Sequence, residues 1–301
     1  MTTICLPTPD AIDYVGALPA GVEVLVWDGA GEPPVGIERA DFFVGRYDGK
    51  PASADALAHM PRLQVLQLVS AGVDAWLPVV PPGVTLCNGR GVHGASTAEL
   101  AVAGMLALLR DLPSHLVGQR TRTWRWIQSE GITGKRVLVV GAGDIGTRIA
   151  DAVRPFDAEP TMVARTARRG VLAIGEIHEQ LPNHHVVVLA VPHTSQTHRL
   201  VDARFLAAMP DHALLVNVAR GAIVDTAALL AELESRRLRA YLDVTDPEPL
   251  PPEHPLWSAP NVLITPHVGG GTAGWQQRAY TLVREQIERF LRGEPLVNVV
   301  P

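Results

Sequence analysis

From about residue 135 onward, the sequence repeats one unit: a short apolar run, a tight turn and a helical pattern. The runs are almost continuously apolar, which is typical of parallel strands buried on both faces and differs from the alternation of half-exposed strands. Strands that alternate with helices in this way restrict the region to an open parallel sheet covered by helices. The predicted strands are 136–141, 160–165, 185–191, 213–219, 239–244 and 261–266.

The first part of the chain has a different texture, with connectors rich in proline and glycine between its strand-like runs. These runs are 22–28, 41–46 and 63–70. A long helical pattern then covers 96–112, with Ser96 or Thr97 as the expected N-cap, and an amphipathic helix is predicted over 272–292. The texture changes near residue 95, and a chain of 301 residues is long enough for two domains.

The composition limits the classes of partner. The chain has 301 residues and a net charge of −5, so it has no general electrostatic attraction to nucleic acid or to anionic membranes. Its two cysteines, Cys5 and Cys87, cannot build a disulfide framework or a cysteine-based zinc site. The N-terminus lacks a basic start and a sustained apolar segment, so we expect no signal peptide and a cytoplasmic protein.

A glycine turn of the form G-x-G-x-x-G follows the first strand of the second region and precedes an apolar-periodic helix. In this context Gly141 makes the tight turn, Gly143 lets a pyrophosphate approach the backbone, and Gly146 lets the helix pack closely on the strand. The pattern therefore predicts a dinucleotide site. An ordinary strand-to-helix turn is the alternative.

The next strand ends where dinucleotide-binding proteins that prefer NAD carry an acid, about 20 residues after the glycines. Here the position is Ala164, followed by Arg165 and Thr166 and then by Arg168 and Arg169. The missing carboxylate removes repulsion of a 2′-phosphate, and the guanidinium groups supply donors for it. The sequence thus predicts a preference for NADPH over NADH, with a solvated basic loop as the alternative.

Three polar residues follow later predicted strands, at the edge where an open parallel sheet binds its ligand. Arg220 can grip a carboxylate with two hydrogen bonds. His267 can donate and retrieve a proton when a buried carboxylate such as Glu248 stabilises its charged form. Together they are suited to the reduction of a 2-keto acid, although each alone is equally consistent with a surface cation, a loop acid and a turn histidine.

The combination resembles the D-isomer specific 2-hydroxyacid dehydrogenase family over most of the chain. Four motifs carry the resemblance, and "VSAGVD" (69–74) and "STAELAVAGMLALLR" (96–110) add weaker support. The four are "GAGDIG" (141–146), "NVARGAIVDTAALLAEL" (217–233), "LDVTDPEPLPPEHPLW" (242–257) and "NVLITPHVGG" (261–270). The loss of the acid at 164 departs from the usual family pattern and is closer to the NADPH-preferring glyoxylate/hydroxypyruvate reductases.

The resemblance implies two doubly wound, Rossmann-like parallel-sheet domains with a cleft between them. The first, flavodoxin-like and substrate-binding, would comprise 1–95 and 285–301, and the dinucleotide-binding domain would comprise 96–284. It also implies a homodimer, to which the helix after residue 96 contributes. We further expect the chain to lack the regulatory extension of some phosphoglycerate dehydrogenases.

The resemblance also implies roles for individual residues. Arg220 would bind the substrate, and His267 would be the acid/base with Glu248 as its partner. The substrate carboxylate would be held by the backbone around Ser70, Ala71 and Gly72. Asp243 would contact the nicotinamide carboxamide, and the remaining cofactor contacts would come from Asp144, Ile145, Val218, Ala219 and Gly269.

The expected reaction is hydride transfer from NADPH to a small 2-keto acid, with glyoxylate, hydroxypyruvate and bulkier 2-keto acids all compatible. Two alternatives stay open. A related dehydrogenase could act on another small anion, such as phosphite or formate. A dinucleotide-sensing protein similar to the co-repressors that resemble this family would bind cofactor but turn over poorly.

Two further patterns favour structural interpretations. The spacing of the eleven histidines does not supply three or four convergent ligands, so we expect no metal site. Trp124 and Trp126 alternate with arginines, a pattern that can indicate base stacking. Because the chain is acidic, a contact between domains or subunits is the favoured interpretation.

Overall fold

The computed structural model describes residues 1–47 and 54–300. The chain divides into two compact units, Met1–His93 with Thr272–Pro301, and Gly94–Gly271. The second boundary precedes the last helix as a whole, whereas the sequence-based boundary at 285 would cut that helix in two.

The strands of the first unit are β1 (Thr2–Leu6), β2 (Val22–Val26), β3 (Ala40–Val44), β4 (Val65–Gln67) and β5 (Thr85–Cys87). Those of the second are β6 (Arg136–Val140), β7 (Glu159–Ala164), β8 (Val171–Ala173), β9 (Val186–Leu189), β10 (Leu214–Asn217), β11 (Arg239–Leu242) and β12 (Val262–Ile264). The helices are α1 (Asp10–Val15), α2 (Ala54–Ala58), α3 (Gly94–Leu109), α4 (Leu112–Thr121), α5 (Asp144–Val153), α6 (Ile177–Gln180), α7 (Ala203–Ala208), α8 (Thr226–Glu234) and α9 (Trp275–Leu291).

The first unit is built on a five-stranded parallel sheet in the order β2-β1-β3-β4-β5, the doubly wound order of flavodoxin-like proteins. Its strands bury both faces. Ile4 and Phe42 pack with Ile287 of α9 on one side, while Cys5 and Phe43 pack on the other. This two-sided burial explains why the strands read as continuous apolar runs.

The second unit is built on a seven-stranded parallel sheet in the order β12-β11-β10-β9-β6-β7-β8. From β8 to β12 this order is the Rossmann arrangement, in which the strand sequence reverses between β6 and β9. Val137 and Val139 face α3 and α5, whereas Leu138 and Val140 face the opposite core. The predicted α/β class with two parallel-sheet units is confirmed, and the reversal point locates the ligand-binding edge of the second sheet.

One local prediction is wrong: Ser96 and Thr97 are not the N-cap of α3, because the helix already begins at Gly94. Its first turn packs tightly against the start of α5, since a Cβ at Gly94 would overlap the Asp144 carboxylate. This contact between distant parts of the chain fixes the start of α3, so the local sequence carries no signal for it. In the described ranges, no single helix is long and apolar enough to cross a membrane, and the pair α3 and α4 passes that test only together, across a 66° bend.

Candidate active site

The glycine turn lies at the reversal point of the second sheet, where β6 and β9 are neighbours. The amide of Gly141 donates to the carbonyl oxygen of Val163 over 2.8 Å. Its φ is +115°, and a Cβ there would overlap the carbonyl oxygen of Ala190. Only glycine satisfies both the left-handed conformation and this close approach.

The other two glycines have different surroundings. A Cβ at Gly146 would overlap the carbonyl oxygen of Gly141, so the start of α5 is packed directly on the turn. Around Gly143 there is nothing within 4 Å of the Cβ position, which leaves the backbone open to a ligand. The turn therefore presents an accessible backbone at the N-terminus of a ten-residue helix, an arrangement suited to a pyrophosphate.

Two predicted cofactor residues flank this turn. Asp144 starts α5, and its Oδ1 accepts a hydrogen bond of 2.8 Å from Arg148 Nε, while Oδ2 is buried without a hydrogen-bond partner in the described part of the chain. Ile145 is half-buried and packs against the core beside α3. The charge of Asp144 is thus paired with Arg148 within α5.

The basic loop follows the end of β7 at Ala164, and its arginines are exposed. The Arg168 guanidinium donates to the carbonyl oxygen of Ala142 over 2.6 Å, so it lies directly at the glycine turn. By contrast, Arg165 and Arg169 form no hydrogen bond or ion pair with the residues that the structure describes. The exposed Thr166 lies between them. The loop can therefore supply cationic donors beside the turn.

Strand β10 ends in a segment fastened by a residue that the sequence analysis missed. Asn217 is fully buried; its Oδ1 accepts from the Ala219 amide (3.0 Å) and its Nδ2 donates to the Arg220 carbonyl oxygen (2.9 Å). Val218 and Ala219 are buried, and Arg220 is half-buried. A polar residue that interrupts the apolar run "LLVNVA" was the available signal. This clamp fixes the backbone from which Arg220 projects.

Glu248 and His267 form a direct pair, with 2.6 Å between Glu248 Oε1 and His267 Nδ1. The hydrogen bond from His267 holds the pKa of the Glu248 carboxyl below its ordinary value, and the charges of His267 and Arg220 act in the same direction. The three residues are therefore brought together. One expectation is corrected: Glu248 is not buried, because 40% of its side chain is exposed on a proline-flanked loop.

Asp243 follows β11, is 2% exposed, and anchors the turn that carries His267. Its carboxylate accepts hydrogen bonds of 2.9 Å from the amides of Val268 and Gly269. Its carbonyl oxygen accepts from the His267 amide over 2.7 Å. His267 itself has a φ of +53°, an uncommon conformation outside glycine that is held here by these contacts.

The predicted substrate-carboxylate segment follows β4 and belongs to the first unit, whereas the other site residues belong to the second. The Ser70 carbonyl oxygen accepts from the Gly89 amide (2.7 Å), and Asn88 Nδ2 donates to the Ala71 carbonyl oxygen (3.2 Å). Ser70 Oγ also donates to the Gly72 carbonyl oxygen over 3.1 Å. In all three contacts a carbonyl oxygen of residues 70–72 is the acceptor, and together they brace the loop.

The remaining patterns gave two observations. Within the described residues, no group of three or more His, Cys, Asp or Glu side chains is arranged to hold a metal ion. Trp124 and Trp126 lie in the irregular segment after α4 and are 102% and 80% exposed, so neither packs in the core of its own unit.

Comparison with known proteins gave matches to one family. Residues 102–269 match the sequence model of the NAD-binding domain of D-isomer specific 2-hydroxyacid dehydrogenases. The chain is 32% identical over 277 residues to the D-3-phosphoglycerate dehydrogenase of Methanocaldococcus jannaschii, covering 88% of this chain and 52% of that protein. The chain thus spans about half the length of that relative.

Two further relatives match over most of both chains. Glyoxylate/hydroxypyruvate reductase A HPR2 of Arabidopsis thaliana is 31% identical over 259 residues, which cover 83% of this chain and 82% of that protein. The crystal structure of a D-isomer specific 2-hydroxyacid dehydrogenase from Xanthobacter autotrophicus, solved with NADPH and MES, superposes with a TM-score of 0.86. That structure is 28% identical and covers 100% of this chain and 98% of its own.

Proposed function

The chain belongs to the D-isomer specific 2-hydroxyacid dehydrogenase family, and on this premise we propose that it reduces a small 2-keto acid with NADPH. The observation that carries the proposal is the 2.6 Å contact between His267 and Glu248, with the charge of Arg220 acting on the same carboxylate. This set supplies a proton donor, its orienting partner and a cation for the substrate.

In the proposed reaction, a 2-keto acid, NADPH and one proton give the 2-hydroxy acid and NADP⁺. The bound nicotinamide cofactor supplies the hydride. His267 Nδ1 donates a hydrogen bond to Glu248. The other ring nitrogen, Nε2, is therefore the one that delivers a proton to the carbonyl oxygen of the substrate. Arg220 binds the substrate carboxylate and aligns the carbonyl group, aided by the backbone of residues 70–72.

The preference for NADPH rests on the loop of Arg165, Thr166, Arg168 and Arg169. Arg168 already contacts the glycine turn, and Ala164 at the end of β7 offers no carboxylate to repel a 2′-phosphate. The relative from Xanthobacter autotrophicus was crystallised with NADPH. Asp243 is proposed to contact the nicotinamide carboxamide of the same cofactor, and Gly269 is proposed to contribute to cofactor binding.

For the substrate, we propose glyoxylate or hydroxypyruvate, because the Arabidopsis relative bears the name of a reductase of these two acids. The experiment measures initial rates with NADPH and NADH against glyoxylate, hydroxypyruvate, pyruvate and phenylpyruvate. Turnover of a short 2-keto acid with NADPH supports the proposal. Equal rates with both cofactors would reject the arginine argument, and no turnover of any acid would favour oxidation of another small anion or a cofactor-sensing role.

We also propose that the protein is a homodimer. Besides the two exposed tryptophans, α4 displays Leu112, Leu116 and Val117, which are 48%, 56% and 59% exposed. Several large exposed apolar side chains within one stretch of the chain are typical of a surface that another chain covers. A second copy is the proposed occupant, and sedimentation equilibrium gives the mass that decides.

A further inference from the structure

A partly buried chain of hydrogen bonds lies beneath the turn that carries His267. The Tyr241 hydroxyl is 2.8 Å from Thr265 Oγ1, and Thr265 Oγ1 donates to Asp243 Oδ1 over 2.6 Å. A threonine hydroxyl has one proton, and here the carboxylate receives it. The Tyr241 hydroxyl must therefore be the donor to Thr265. Burial raises the pKa of Tyr241 to about 12, so this donor keeps its proton at neutral pH.

The acceptor at the end of this chain controls the histidine turn. Asp243 Oδ1 accepts hydrogen bonds from both the Thr265 hydroxyl and the Val268 amide, while Oδ2 accepts one from the Gly269 amide. The two amides come directly after His267. If the carboxylate rotated about its last bond, both amides would lose their present acceptor, and the loss is costly for the Gly269 amide, whose hydrogen bond is buried. The orientation of the Asp243 carboxylate therefore fixes the position of the backbone that carries His267.

The packing around the network leaves little room for other arrangements. A Cβ at Gly104 of α3 would overlap the Tyr241 ring. A Cβ at Gly269 would lie 3.0 Å from Asp243 Oδ2 and 3.3 Å from Thr97. Helix α3 thus presses on both ends of the chain, and the hydroxyl of Thr265 is the group that links them.

We propose that Thr265, supported by Tyr241, is a positioning residue for the acid/base: it fixes the Asp243 carboxylate and so keeps His267 aligned with Glu248. The proposal rests on the proposed function of His267. Its content is that the Thr265 hydroxyl contributes to turnover without touching substrate or cofactor, through the backbone of residues 267–269.

The first test compares Thr265→Val, which keeps the shape and removes the hydroxyl, with Thr265→Ser, which keeps the hydroxyl. Because a hydrogen bond to a charged group is stronger than a neutral one, we expect Thr265→Val to lower kcat by about 10- to 100-fold. KM for the keto acid should change by less than about 3-fold, because Arg220 is untouched. Thr265→Ser should recover kcat to within about 5-fold of the parent.

Tyr241→Phe is a milder variant, because it removes only the hydrogen bond from Tyr241 and keeps the one from Thr265 to Asp243. We expect a fall in kcat smaller than that of Thr265→Val. Equal kcat for Thr265→Val and the parent, or failure of Thr265→Ser to recover activity in a folded protein, would overturn the proposal. Should Thr265→Val not fold, the Tyr241→Phe and Thr265→Ser pair still decides.

A second readout does not depend on activity. Amide hydrogen exchange at Val268 and Gly269 should accelerate by at least about tenfold in Thr265→Val, while the amide of Ala219 on β10's loop stays protected. Unchanged exchange at 268 and 269 rejects the anchoring itself. If exchange accelerates but His267→Gln still turns over normally, the proposed acid/base is wrong and the anchoring stands.

A double-mutant cycle completes the separation. If Thr265 acts through His267, adding Thr265→Val to His267→Gln should lower kcat by less than about 3-fold, far below its effect in the parent. Full additivity of the two losses would mean that Thr265 acts on turnover by another route, and the positioning role would be rejected.

Discussion

His267 is held by two carboxylates with different tasks. Glu248 accepts a hydrogen bond from the ring Nδ1, and Asp243 accepts hydrogen bonds from the two backbone amides that follow the histidine. The exposed pair at the ring is accessible to substrate, while the buried acid beneath the turn sets the backbone. At this scale the chemistry depends on which oxygen accepts from which donor, so single substitutions give the sharpest predictions.

Replacement of His267 by alanine should lower kcat by about 100-fold or more and leave cofactor binding nearly unchanged, because a positioned proton donor contributes about 10²–10⁴-fold. Steady-state rates and NADPH fluorescence titration measure the two effects. Near-normal turnover in a folded variant would mean that another group donates the proton.

Replacement of Arg165 by alanine should raise KM for NADPH by about 10-fold and KM for NADH by less than 3-fold, because only NADPH carries the phosphate. Arg204→Ala, another exposed arginine on α7, is the charge-matched control. Equal effects on the two cofactors would show that Arg165 does not contact the 2′-phosphate.

The pKa of Glu248 lies below its ordinary value of 4.5. A carboxyl of this kind binds its proton more weakly in the folded chain, so it stabilises the fold above the unfolded pKa and loses that contribution as pH falls through the folded pKa. We expect the Tm difference between the parent and Glu248→Gln to shrink as pH drops below about 4.5. Glu253→Gln, on the same loop, is the charge-matched comparison.

Helix α3 illustrates what an element contributes beyond its own propensity. Gly104 lies in its interior, where alanine would ordinarily favour the helix by about 1 kcal/mol. The Tyr241 ring occupies the space that a Cβ needs, so the helix gives up propensity to approach β11 closely.

We therefore expect Gly104→Ala to lower the free energy of unfolding by about 1–3 kcal/mol, as overpacking does. Gly175→Ala is the control, because nothing lies within 4 Å of its Cβ position, and it should be neutral or slightly stabilising. Urea denaturation measures both. A Gly104→Ala variant that is more stable than the parent would show that the Tyr241 ring moves to make room for the methyl group.

Element by element, the sequence was informative where a pattern is local. Nine of the strands that the structure describes match predicted apolar runs, whereas β1, β5 and β8 were missed. β4 and β12 are as short as β5 and β8 but lie within longer apolar runs, while β5 and β8 are defined by pairing with a strand that folding brings beside them. The same reason hid Asn217, Thr265 and Tyr241, whose roles come from hydrogen bonds to residues brought near by folding. The glycine turn, the basic loop and the set of Arg220, Glu248 and His267 were found from their places after predicted strands, and the family resemblance supplied Asp243 and residues 70–72.

At the scale of the whole molecule, the exposed apolar stretch is the feature that a single chain leaves unexplained. If a second copy covers it, Trp124→Ser with Trp126→Ser should give a monomer by sedimentation equilibrium while each unit stays folded. Trp257→Ser, another tryptophan that is 52% exposed, should leave the mass unchanged. A parent protein that is already monomeric would refute the dimer.

The first unit is made from two distant parts of the chain. Gln286 Nε2 of α9 donates to Gln67 Oε1 over 2.8 Å, and the amide of Val300 donates to the carbonyl oxygen of Leu86 in β5. On the ribosome, residues 1–93 therefore emerge long before their helical cover. At about 5–20 residues per second, the intervening unit takes roughly 10–40 s to synthesise. The unit Gly94–Gly271 is contiguous and can fold during this time, while the outer edge of β5 stays unpaired. Nascent chains stalled before α9 should therefore need a chaperone.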